Sequence, residues 1–300
     1  MLRIAQNNVI IEGILNTVDI SERNYEKNGR KNNALSGSIT VKTIQKMNGE
    51  DIEVVIPIHI FASELTSKGT QNPAYISISK VKNEFVSIAA GGVENADRVR
   101  ISGGRITMNT FYNRSGKLVS YPRIEASFFN KVDPQEYNPE ATFVIEMLVA
   151  SKEMEVDRNQ VETGRLCIKG VVPMYGGKVE VIPFYCANSN VISAVDNYWQ
   201  LNDTVRAKGR LLFYTKVDTV IDEDGFGETF DQKVTTTVGD LIITGGSETP
   251  YTDMAFDLDE IKQALTERSA RINAMKDRPS QTTKAAATKS SYSVEDFPGF

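Results

Sequence analysis

Three hundred residues, 40% hydrophobic and 24% charged, supply enough apolar material for two cores of ordinary domain size. The formal net charge is −5, and the chain has one histidine, His59, and two cysteines, Cys167 and Cys186. A lone imidazole excludes His-based relays and most zinc sites, and no apolar run approaches the roughly 18 residues of a bilayer span.

The opening MLRIAQNNVIIEGIL enters a strand pattern with no basic leader or small-residue cleavage site, which predicts a cytoplasmic protein with no membrane contact. The candidate strands of the first half are Asn8 to Ser21, Ser36 to Gln45, Ile52 to Ala62, Phe85 to Ala89, Arg98 to Tyr112 and Pro122 to Val132. His59 lies in the run VVIPIHIF and reads as structural. A second series runs Phe143 to Glu155, Thr163 to Pro173, Lys178 to Ala187, Thr204 to Lys216 and Gln232 to Thr244. Both cysteines fall inside its apolar runs and read as buried, reduced thiols.

The two series are one pattern written twice. EVVIPIHIFAS from Glu53 parallels VEVIPFYCANS from Val179, and ADRVRISGGRITMNTFY from Ala96 parallels NDTVRAKGRLLFY from Asn202. Pro57 to Asp97 spans 40 positions and Pro183 to Asp203 spans 20, so the first copy carries an insertion, 67–86, expected as an added hairpin or loop. The predicted organisation is a first domain over 1–140, a second over 141–250, an amphipathic helix within 251–278 and a flexible linker and tip over 279–300. In the helix, Met254, Leu258, Ile261, Leu265, Ile272 and Met275 recur at helical spacing, with Asp257 and Glu260 near a capping arrangement. The acidic run DEDGFG, Asp222 to Gly227, lacks the ligand spacing of a calcium loop and reads as a hairpin tip.

DRVRISGGRI, Asp97 to Ile106, resembles the fourth-strand signature of bacterial single-stranded DNA-binding proteins, and DTVRAKGRLL, Asp203 to Leu212, resembles it again. The resemblance implies a mainly β fold of two tandem OB-type five-stranded barrels, followed by a C-terminal helix and a disordered tail, with single-stranded DNA on the open face. Period-2 alternation turns Arg98, Arg100, Arg206 and Lys208 outward. Gly103, Gly104 and Gly209 fit the bend that a small barrel needs at its corners.

Binding an unpaired strand without sequence preference requires cations along the phosphates and rings that stack on bases. Arg105 with Phe111 and Arg210 with Tyr214 are each separated by an even number, so each pair can share a strand face. The first inter-strand segment, SERNYEKNGRKNN, offers Arg23, Tyr25, Lys27, Arg30 and Lys31, as a DNA-wrapping loop or as a solvated polar hairpin. Tyr175, Tyr185 and Trp199 are further stacking candidates, each equally suited to core packing. Charge by segment favours the first module, where 1–140 carries 17 basic and 15 acidic groups against 10 and 16 in 141–250.

The terminal Glu295, Asp296, Phe297, Pro298 and Phe300 resemble the acidic tip of the same family, which implies recruitment of replication or repair enzymes; Phe replaces the usual Ile and Gly299 intervenes. No catalytic residue, metal set or cofactor motif is assigned. Pairing of the 253–276 helix into a homodimer is left open, and the competing reading is a β-rich viral structural or assembly protein without DNA affinity.

Overall fold

The computed structural model describes residues 2–27, 30–47, 49–113, 115–157, 159–221 and 231–276, without the side chains of 27, 30, 31, 47, 214–221 and 231–238. The predicted tip, Glu295 to Phe300, and the acidic run from Asp222 to Gly227 lie outside the described residues.

Strands β1 (Asn7–Lys27), β2 (Arg30–Met47), β3 (Glu50–Ser63), β4 (Arg98–Tyr112) and β5 (Leu118–Glu125) pair in the order β1-β2-β3-β5-β4, and β4 returns to β1. Only β3 with β5 is parallel, so the five strands close into a small barrel of OB type. A short strand, β6 (Phe129–Lys131), adds to β4. The second barrel repeats the scheme with β7 (Glu140–Val156), β8 (Glu162–Pro173), β9 (Val179–Cys186), β10 (Thr204–Ile221) and β11 (Asp231–Gly246), where β9 with β11 is parallel and β10 closes onto β7.

Alternation builds both cores. In β3, Val54, Ile56, Ile58, Ile60 and Ala62 point inward, while Glu53, Val55, Pro57, His59 and Phe61 point out. Phe143 and Phe184 fill the second interior with ring centroids 5.7 Å apart, each contributing about 1.5–3 kcal/mol by burial. Cys167 and Cys186 are free thiols, pushed up by burial to about 11 and about 12 respectively.

Gly103 has φ 80°, a left-handed conformation, where the β1–β4 register slips between Val9 and Ile10. It is the bulge that lets β4 bend around the barrel corner.

The insertion differs from expectation. The stretch 67–86 contains helix α1 (Pro73–Glu84) rather than a hairpin, because Asn72 accepts from the Ala74 N–H at 3.0 Å and Pro73 sits in the first turn. Phe85 to Ala89 is not a strand: Phe85 ends α1, and Ile88 begins the short helix α2 (Ile88–Gly91). The second copy has its own helix, α3 (Ser189–Tyr198), capped by Asn188, so a helix stands between the third and fourth strands of each barrel. After the second barrel, α4 (Leu258–Lys276) begins at Asp257, whose carboxylate accepts from the N–H groups of Asp259 and Glu260 at 2.9 Å each.

The barrels join through their first strands. Residues Asn7 to Glu12 of β1 pair antiparallel with Ile145 to Glu140 of β7, making one eleven-stranded sheet. Val9 faces Gly104 in one barrel, Phe143 faces Gly209 in the other, and Val9 and Phe143 face each other. The local twofold relation between the repeats therefore passes through the Val9–Phe143 pair.

Each first strand also carries a buried glutamate that reaches across the junction. Glu12 accepts from Arg100 Nε at 2.5 Å and from the Asn138 N–H at 2.6 Å, just before β7. Glu146 accepts from Arg3 at 2.6 Å and from the Gln6 N–H at 2.9 Å, just before β1.

Candidate nucleic-acid interface

The outward row of β3 continues across the first barrel. His59 lies opposite Ser38 of β2 and Glu125 of β5, and Phe61 lies opposite Ser36. Tyr121, Arg123 and Glu125 share one side of β5 by alternation, and across from them β4 presents Asn109, Thr107 and Arg105. One face thus gathers Phe61, His59, Arg123, Tyr121, Arg105 and Phe111.

Its electrostatics are cationic. Glu125 takes two guanidiniums, Arg105 at 2.8 Å and Arg123. Burial pushes the Glu125 carboxyl up, but the Arg105 hydrogen bond and the charges of Arg123 and Arg105 outweigh it and hold the group below the usual carboxylate range. Arg23, exposed on β1, has no carboxylate partner among the described residues. Burial first, then the Arg123 charge, lowers the His59 pKa; Glu125 opposes and Arg23 adds to the depression. Asp19, opposite Ser38, puts a second carboxylate at the end of the row.

The rings are held but open. Phe61 is 55% exposed and contacts Tyr25, with centroids 6.3 Å apart. Phe111 meets Tyr121 edge-on at 6.2 Å, and the Tyr121 hydroxyl accepts from Asn109 at 2.6 Å, which fixes the pair on the β4–β5 hairpin. A fixed, partly exposed ring offers a stacking plane without a large ordering cost.

Several residues expected from sequence are elsewhere. Arg98 lies over the Tyr137 ring at 5.4 Å, and Arg100 is bound to Glu12, so both face the linker between the barrels. Arg206 and Lys208 are exposed on β10, the second barrel's counterpart of that side, and Arg210 donates to the Lys46 carbonyl at 2.5 Å, bridging the barrels. Trp199 is 2% exposed, and its indole N–H donates to the Ser247 carbonyl at 2.7 Å, so it belongs to the core and not to a stacking surface. Tyr175 is 83% exposed in the β8–β9 turn.

Tyr185 lies under Arg165 at 4.5 Å, and that guanidinium is held by Glu155 and Asp240 at 2.6 Å each. Of the two readings of the segment SERNYEKNGRKNN, loop or polar hairpin, the structure has the hairpin: β1 and β2 pair as far as Lys27 with Arg30. Arg23 and Tyr25 stand on that hairpin; the side chains of Lys27, Arg30, Lys31 and Tyr214 are outside the described residues.

His59, Phe61, Tyr121 and Arg123 were missed by motif reasoning. Their signal was the alternation of IPIHIF and SYPRIE, which sets them opposite Ile58, Ile60 and Ile124. Among the described residues no cluster of His, Cys, Asp or Glu could hold a metal ion, and no helix is long and apolar enough to cross a membrane.

A family model described as YorF matches residues 5–278. No curated protein matches. Solved structures of the single-stranded DNA binding protein from Thermus aquaticus are similar in outline. A deletion mutant has a TM-score of 0.47 at 10% identity over 83% of this chain and 96% of that one. The wild-type protein has 0.46 at 9% identity over 83% and 95%.

Proposed function

The chain belongs to the YorF family, and from the surface of its first barrel we propose that it binds single-stranded DNA without sequence preference. The observation that carries this reading is the outer face of β3, β4 and β5, where Arg123, Arg105 and His59 alternate with Phe61, Tyr121 and Phe111. Cations there can track phosphates while rings stack on bases, each stack being worth about 1–3 kcal/mol. OB barrels bind oligonucleotides on the face of their second and third strands and with the loops between strands 1 and 2 and between strands 4 and 5, and Phe61 and His59 of β3 lie beside β2 on that face. The reading involves no catalysis: the protein coats and protects the strand during replication, recombination or repair. The acidic-aromatic run from Glu295 to Phe300 then recruits enzymes by placing its rings in a basic-rimmed apolar pocket.

Because Trp199 is buried, its fluorescence is a poor reporter of stacking, and anisotropy of dye-labelled oligo-dT is the better measurement. Affinity for oligo-dT is expected to exceed that for duplex of equal length at least tenfold, and to fall steeply with added salt as counterions are released. Equal affinity for the two forms overturns the proposal.

A further inference from the structure

The two barrels are unequal on the face that the proposed function uses. Pro57 and Pro183 each lie two residues before a parallel contact, His59 with Glu125 and Tyr185 with Ile242, so Val55, Pro57 and His59 correspond to Val181, Pro183 and Tyr185. In the first barrel all three are exposed; in the second, Val181 and Pro183 are buried.

Helix α4 and the first barrel's β4–β5 hairpin stand over them together, with Met108, Thr110 and Leu118 facing the same cleft as Val181 and Pro183. Ile261 and Ala264 anchor the first turns of α4 in the core. Farther along, Arg268 reaches Glu180 of β9 at 3.5 Å. Beyond that contact, a cleft of about 370 Å³ separates Ile272 from Val181, Pro183 and Leu118.

At the other end of the same face, the ring of Tyr185 is covered by Arg165, whose charge is met by Glu155 and Asp240. Burial works against its charge, but the hydrogen bonds that the guanidinium donates to Glu155 and the charge of Asp240 outweigh it, so the arginine stays charged and is already partnered. A strand arriving here would have to break these partly buried ion pairs before it could reach the ring.

We infer that the chain offers one strand-binding face and not two, with α4 and the inner side of the β4–β5 hairpin together occupying on the second barrel the place that DNA takes on the first. This rests on the proposed function. The first barrel therefore supplies the affinity, and the second, with its helix, is scaffold.

The test is calorimetric titration of the full chain with dT8, a length on the order of one barrel's footprint. One oligonucleotide per chain is expected, with Phe61→Ala combined with Arg123→Glu weakening binding at least tenfold and Tyr185→Leu changing it less than twofold. Two oligonucleotides per wild-type chain overturn the inference without needing any variant, as does a Tyr185→Leu loss matching that of the first-barrel pair. No binding of dT8 or of longer oligo-dT overturns the functional reading itself.

Discussion

His59 illustrates how much the surroundings of one residue decide. With its pKa lowered by crowding and by Arg123, and Glu125 only partly opposing, its imidazole is uncharged at neutral pH in the free chain. A phosphate beside it would favour the imidazolium, so binding would take up a proton and tighten as pH falls. Affinity for oligo-dT is expected to rise between about pH 8 and about pH 6, and His59→Gln to flatten that slope. A flat profile in the unaltered chain removes phosphate from beside His59. Sequence alternation gave the correct outward sense for Arg98 and Arg100 but not what they meet, which is Tyr137 and buried Glu12. For the same reason IPIHIF could not reveal that His59 shares a face with Arg123, because that depends on β3 lying beside β5.

At the scale of elements, most strands were legible because β-branched alternation is a strong local signal, but Phe85 to Ala89 is not strand, and Pro122 to Val132 breaks at 126–128 into β5 and β6. The helices α1 and α3 were not legible: each is 12 residues or fewer, with its capping asparagine hidden among other polar residues. The Gly-Arg bends were read correctly as corners, and their geometry shows why. A Cβ on Gly209 would come within 2.2 Å of the Ile242 carbonyl and 2.4 Å of the Phe143 ring. Gly209→Ala is therefore expected to destabilise by about 1–3 kcal/mol through overpacking, read as a lowered denaturant midpoint. An unchanged midpoint contradicts this packing. The β1–β2 segment left loop and hairpin both open because Asn, Lys and Arg suit either, and pairing across two strands decides for the hairpin, carrying polar residues in register as far as Lys27.

For the whole molecule, the duplication was visible in the paired runs from Glu53 and Val179, while the way the copies meet was not. Nothing in a strand's own pattern says that its free edge will be met by its own repeat. Yet β1 and β7 do meet, and Glu12 and Glu146 fasten each to the segment preceding the other. A solitary barrel exposing such an edge would gain its cover only by encountering a neighbour, and would shed it on dilution. Here the cover travels on the same polypeptide, at an effective concentration that no dilution can lower. The melting midpoint is therefore expected to stay constant over a hundredfold change in protein concentration. A midpoint that climbs with concentration would mean that this seam is not self-sufficient.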